Sequence, residues 1–149
     1  MSSFKGTYKY SVDAKGRINI PAKLRKYVST DAHDTFVVTH GFEKCLFLYP
    51  LDEWQKNEQR LRSLNTYHLE HRKALRVLLE NADEVQLDGQ ARVMIPVEHR
   101  EYAQLKDDVH IVGTLDKIEL WNPQVYQEYK NNFTETYEEI ATKVLGPKE

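Results

Sequence analysis

The stretch Tyr10-Ser-Val-Asp-Ala-Lys-Gly-Arg-Ile-Asn-Ile-Pro-Ala-Lys-Leu-Arg25 decides the reading of this chain, because it occurs twice. A shift of 75 positions lays Asp13 on Asp88, Arg17 on Arg92, Ile20 on Ile95, Pro21 on Pro96 and Arg25 on Arg100. Further on, after a small change of register, Glu43-Lys44 falls on Asp116-Lys117 and Pro50 on Pro123. Self-similarity sustained over this span marks an internal duplication. Each copy reads the same way locally. Asp13-Ala-Lys-Gly16 and Asp88-Gly-Gln-Ala91 are turns, since Asp can accept from the backbone that follows it and Gly tolerates positive φ. Ile18-Asn-Ile20 and Val93-Met-Ile95 have strand character. Pro21 and Pro96 cannot continue a ladder but suit the opening of a helix. Strand, turn, strand, proline and short helix are therefore expected in each copy.

Outward from this stretch, Thr7–Val12 alternates and predicts a half-buried strand. Ala22–Val28 predicts a short helix with Leu24, Tyr27 and Val28 on one face. Thr35–Thr39 and Cys45–Tyr49 predict strands, and Leu51–Leu61 an amphipathic helix. A second helix, capped by Asn65 or Thr66, is expected from Tyr67 to about Asn81. The second copy repeats the order. It has strands at Glu84–Leu87, Ala91–Ile95, Val109–Val112 and Ile118–Trp121, and a short helix at Val97–Ala103. A C-terminal helix from Gln124 to Asn131 is expected to continue beyond Thr134 through Ile140. The chain divides into modules at 1–76 and 77–149.

At 149 residues, 40% hydrophobic and 30% charged, the composition is that of a soluble globular protein. Modules of this size bury limited apolar surface, which favours packing of the halves and oligomerisation. No apolar run is long enough for a transmembrane helix, so no membrane partner is expected. Met1-Ser-Ser-Phe-Lys lacks an apolar core, so a secretory signal is not expected. Cys45 is alone and reads as a buried small side chain, in keeping with a reducing cytoplasm. The net charge of −2 conceals an asymmetry. Residues 1–80 hold 14 Lys and Arg against 9 Asp and Glu, whereas residues 81–149 hold 7 against 14. A surface for a polyanion would therefore lie on the first module.

The repeated Asp-x-x-x-Arg turns, each followed by Ile-Pro, resemble the MraZ family, whose chains carry two tandem modules of the SpoVT/AbrB-like swapped-hairpin type. The Phe4-Lys-Gly-Thr-Tyr8 lead-in belongs to the same resemblance, which covers nearly the whole chain. It implies an α+β, mainly β fold in which two swapped-hairpin modules interleave into a small pseudo-dimeric β-barrel with appended helices. It also implies a cytoplasmic, nucleoid-associated transcriptional regulator, usually a repressor. Such a regulator binds tandem short direct repeats in double-stranded DNA, upstream of the division and cell-wall gene cluster. The implied partner besides DNA is the chain itself, in a ring-like homo-oligomer for which an octamer is one candidate size.

An Arg at the end of a tight turn can reach into a major groove and bond guanine O6 and N7, and a neighbouring Lys can contact phosphate. Arg17 is thus the expected base reader, Lys15 and Lys9 the phosphate contacts, and Asp13 the residue that fixes the turn. Arg25 is a further positional candidate. Arg92 and Asp88 form the second pair. There Gln90 replaces Lys15, and Glu98 and Glu101 replace Lys23 and Lys26. The first module is accordingly expected to bind DNA and the second mainly to support assembly. Either pair could instead be purely architectural.

Other chemistry is weakly supported. His68 and His71 share a helical face without an evident third ligand, so no metal is expected. There is no glycine-rich phosphate loop and no Gly-x-Ser-x-Gly elbow, so neither a cofactor nor an enzyme activity is expected. The nine Tyr fall mostly on strand patterns, where packing is the simpler reading than base stacking. Two other functions remain open: an antitoxin, whose disordered toxin-binding tail this chain replaces with a second module, and an oligomeric adaptor that keeps the fold without operator specificity.

Overall fold

A computed structural model describes residues 2–147. The first repeat supplies β1 (Thr7–Ser11), β2 (Arg17–Asn19), α1 (Ala22–Arg25), β3 (Thr35–His40), β4 (Leu46–Pro50), α2 (Leu51–Arg62) and α3 (Leu69–Leu79). The second supplies β5 (Asp83–Gln86), β6 (Arg92–Met94), α4 (Val97–Tyr102), β7 (Asp108–Gly113), β8 (Ile118–Trp121), α5 (Pro123–Asn131) and α6 (Tyr137–Leu145). Pro21, Pro50 and Pro96 each stand immediately before a helix at φ near −55°, so the fixed ring sets the entry of α1, α2 and α4. At α5 the proline is the first helical residue, and the Asn122 side chain accepts from the Gln124 and Val125 amides.

Six strands form an antiparallel sheet in the order β1-β7-β8-β4-β3-β5, and β2 pairs with β6 in a separate two-stranded ladder. Exchanging each strand for its repeat equivalent reverses the first order and leaves it otherwise unchanged. The registers obey the same exchange. Lys9 opposes His110 and Glu84 opposes Val37; Tyr10 opposes Val109 and Val85 opposes Phe36. The pseudo-twofold axis passes through the Ile18–Val93 pair and, at the far side, between the Leu46–Leu120 and Phe47–Glu119 pairs. Each repeat thus lends its first strand to the other, and the modules interleave as the resemblance implies.

The α+β class is as expected, with 37% helix and 26% strand, and the strands are mostly antiparallel. The sheet, however, is not closed. β1 and β5 are its edges, and the β2–β6 ladder lies alongside both without joining their hydrogen bonding. One core fills the interior from both repeats: Ile18, Ile20, Leu24, Phe36 and Leu48 meet Val93, Ile95, Val109, Ile111 and Leu120. A second cluster, centred on Phe47, Trp54 and Trp121, packs α2 and α5 on the outer sheet face. Phe4, fully buried, joins the first core through a bridge to Leu115.

Several boundaries differ from expectation. α1 stops at Arg25 rather than Val28, because the chain turns there to bring Tyr27 and Val28 onto the core. α3 begins at Leu69. Asn65 caps a preceding turn by accepting from the Tyr67 amide, and His71 Nδ1 accepts from the Asn65 amide. The C-terminal segment is two helices, since Thr136 and Glu139 form a reciprocal capping box that starts α6 anew. Cys45 is fully buried, and burial pushes its thiol up to about 12.

Candidate nucleic-acid interface

The β2–β6 ladder is only three residues long, and alternation divides it sharply. Ile18 and Val93 point inward and are completely buried. Arg17, Asn19, Arg92 and Met94 share the opposite face, with Arg17 opposite Met94 and Asn19 opposite Arg92. The two arginines are diagonal neighbours, about 7–8 Å apart at Cα by ladder geometry. A two-stranded ribbon of this kind fits the width of a DNA major groove.

Each arginine is held by its own turn. Asp13 Oδ1 accepts from the Lys15 amide (2.9 Å) and the Arg17 amide (2.8 Å), while Arg17 Nε donates to Oδ2 at 2.6 Å. Asp88 repeats this with the Gln90 amide (2.9 Å), the Arg92 amide (3.0 Å) and Arg92 Nε (2.9 Å). In each case Nε is the anchored atom, and the Nη groups make no hydrogen bond among the described residues. That arrangement fixes the plane of the guanidinium and leaves its distal edge to donate outward. The Arg17 amide bond, more than the ion pair, holds the Asp13 carboxyl below the ordinary range, and the Arg92 amide does the same for Asp88.

The turns are also braced across the ladder. The Ile20 amide donates to the Ala91 carbonyl and the Ile95 amide to the Gly16 carbonyl, each at 2.9 Å. Gly16 has φ +81° and its equivalent Ala91 has φ +62°. Arg100 Nε donates to the Ile95 carbonyl (2.9 Å), and its guanidine lies against Gly16, where a methyl group would overlap it. Arg25 makes the equivalent bond to the Ile20 carbonyl (3.0 Å), so it joins α1 to β2 rather than standing on the ribbon.

The symmetry fails at particular places. Asn19 Nδ2 donates to the Gln90 carbonyl (3.1 Å), tying down the second turn. Met94, the equivalent of Asn19, has no donor, and the Lys15 turn lacks that tie. Lys15 is exposed, as are Lys23 and Lys26 on one flank and Glu98 and Glu101 on the other. Lys9 is exposed on β1 opposite His110, about 13 Å along the strand from Asp13, and is not brought onto this face. Of the sequence candidates, Asp13, Lys15, Arg17, Asp88 and Arg92 therefore gather at one ribbon. Asn19, Met94 and Arg100 were missed. The alternation Arg17-Ile-Asn19 against Arg92-Val-Met94 was the available signal for the first two. His68 and His71 lie with ring centroids 5.2 Å apart, and no cluster of three potential metal ligands exists among the described residues.

The model of the MraZ protein family matches residues 3–77 and again residues 78–145. The chain belongs to the MraZ family. A protein of Syntrophomonas wolfei named transcriptional regulator MraZ is 41% identical over 142 residues, covering 95% of this chain and 96% of the relative. Its namesake in Halothermothrix orenii is 43% identical over 138 residues, covering 93% and 94%. That of Thermoanaerobacter pseudethanolicus is 40% identical over 136 residues, covering 91% and 92%. No helix among the described residues is long and apolar enough to cross a membrane.

Proposed function

We propose that the chain is a DNA-binding transcriptional regulator, as its relatives' names imply, acting from the cytoplasm on the nucleoid without enzymatic chemistry. The observation that carries this reading is the pair of Asp-anchored arginines on one solvent-facing ribbon, with their distal donors free. Arg17 and Arg92 enter the major groove together and donate to guanine edges. Lys15, on the less tied turn, contacts phosphate beside Arg17, with Lys23 and Lys26 extending the positive flank. Asp13 and Asp88 hold the turns. The repeat at 1–76 supplies the stronger half of the contact, and the repeat at 77–149 supplies Arg92 and the body that braces both turns.

The unequal flanks give the bound chain a direction. A ribbon with Asn19 and Lys15 on one side and Met94 and Gln90 on the other matches a non-palindromic box. Tandem direct repeats of such a box, upstream of the division and cell-wall gene cluster, suit copies held in one orientation in a ring-like homo-oligomer. A single ribbon binds weakly, and several on one assembly bind at high effective concentration. Repression follows from occupying the promoter region.

The test is binding to a duplex spanning the gene's own upstream region across a salt series. Arg17→Ala is expected to cost about 1–3 kcal/mol and to relax base preference. Arg92→Ala should weaken binding by less, and Lys15→Ala should lower the salt slope by about one. If the unaltered chain prefers no duplex over random DNA at moderate salt, the regulator reading fails and an assembly adaptor takes its place.

A further inference from the structure

The last helix of the chain is built for a surface that its own fold does not provide. Tyr137, Ile140, Ala141, Val144 and Leu145 stand at i, i+3, i+4, i+7 and i+8 and make one apolar stripe along α6. None of the helix is buried, and Tyr137, Val144 and Leu145 are 83%, 74% and 84% exposed. A nine-residue helix, even one started by a capping box, is not stable in water on propensity alone. Its stripe needs cover.

A matching cavity lies on the other half of the molecule. α2, α3 and the outer face of β3 and β4 enclose a groove of about 540 Å³ whose walls include Phe42, Phe47, Tyr49, Trp54, Leu61 and Val77. α3 has no buried residue and stands off the sheet, so apolar wall remains open: Phe42 is 69% exposed and Val77 56%. The charges are complementary. Glu135, Glu138 and Glu139 surround the start of α6, while Arg60, Arg62, Arg72, Lys73 and Arg76 surround the open end of the groove. Every copy therefore carries an acidic, apolar helix on one half and a basic, apolar groove on the other.

We propose that α6 of one copy docks in the α2–α3 groove of a second copy, head to tail. The contact is heterologous, so each bound copy still offers a free groove or a free helix. Repetition gives a closed ring when the rotation between copies closes. One helix in one groove is a small interface, and closure makes it persist, because every copy is then held at two sites. The docking rests on the oligomeric reading above, and its geometry is independent of the DNA face, since the groove and the ribbon share no residue.

The experiment uses the full chain with Val144→Asp on the helix and Val77→Lys on the groove wall, both exposed positions that leave the core intact. Circular dichroism checks folding, and Leu145→Asp serves as a second helix variant. Sedimentation should show an oligomer for the unaltered chain and monomers for each variant alone. Mixing Val144→Asp with Val77→Lys should give one-to-one dimers that grow no further, because the mixture retains one intact helix and one intact groove. A monomeric unaltered chain, a variant of unaltered mass, or a mixture that stays monomeric would each overturn the proposal. Arg17-dependent binding of a single-box duplex, measured on the same samples, reports the DNA reading separately. If it survives while the mass is unaltered by Val144→Asp, only the docking falls.

Discussion

Asp13 uses both carboxylate oxygens within its own turn, and Asp88 does the same, so local sequence alone determines these two anchors. Because the folded Asp13 carboxyl lies below its ordinary value of 3.8, ionised Asp13 supports the turn at pH above about 4. That support is lost as pH falls through the folded value. The residues four and three places into the turns differ in a way that can be measured. Gly16 and Ala91 both adopt positive φ, which costs an L side chain but not glycine. Ala91→Gly should therefore stabilise the chain by about 0.5–1 kcal/mol, after allowing for the freer unfolded backbone. Gly16→Ala should destabilise it by about 2 kcal/mol, since the strain is joined by overlap with the Arg100 guanidine. Denaturant titration of both variants decides the point, and equal effects at the two sites would contradict it. The Asp–Arg pairs were legible because their partners are four residues apart. Arg100 over Gly16 was not, because 84 positions separate the two and only the ladder register brings them together.

At the scale of elements, duplication makes every departure from symmetry informative. Leu24 in α1 is a core residue, and its equivalent in α4 is the buried His99. His99 Nε2 meets Asp83 at 2.9 Å, its Nδ1 has no partner, and its ring stands edge-on to His40 at 5.2 Å. His40 in turn stacks on Tyr102 at 3.7 Å. The α4–β3–β5 contact is thus polar where its copy, with Leu24, Gly113 and Tyr8, is not. Burial, then the nearby His99 and Lys44, hold His40 below its ordinary value of 6.5, against a smaller opposite pull from Glu80. His110 is lowered as well, by burial and by Lys9 and Lys130. Both groups stay neutral in the folded chain at pH values where the unfolded chain binds a proton. Stability should therefore be full above about pH 6.5 and decline as pH falls towards the folded values. His40→Phe should remove part of that slope in urea titrations at pH 7.5 and 5.0, and an unchanged slope would refute the assignment. The order of strands was readable from periodicity. The break between α5 and α6 was also readable, in Thr136-Tyr-Glu-Glu139, but the apolar spacing across it suggested one continuous helix.

For the whole molecule, the repeats are units of sequence that exchange their first strands. β1 has no partner within its own repeat and pairs with β7; β5 likewise pairs with β3. Nothing in either repeat alone announces this, since the pairs are about 100 and about 50 positions apart and periodicity reports only which face of a strand is buried. The exchange has a consequence for fragments. A chain cut after residue 80 keeps β1 and β3 but loses β7 and β5, leaving Tyr8 and Tyr10 without the strand that places them against the core. β3 of a second fragment is the repeat equivalent of β7 and carries the same register, so two fragments can complete each other. β2 would then pair with its own copy across the axis, placing Ile18 against Ile18 where Val93 now stands, an excess of one methylene that a core accommodates at modest cost. Residues 1–80 alone should therefore be unfolded at low concentration and gain structure as dimers when concentrated. Circular dichroism and sedimentation across a concentration series would show this, and a folded monomer of that fragment would mean that the strand exchange does not hold the fold together.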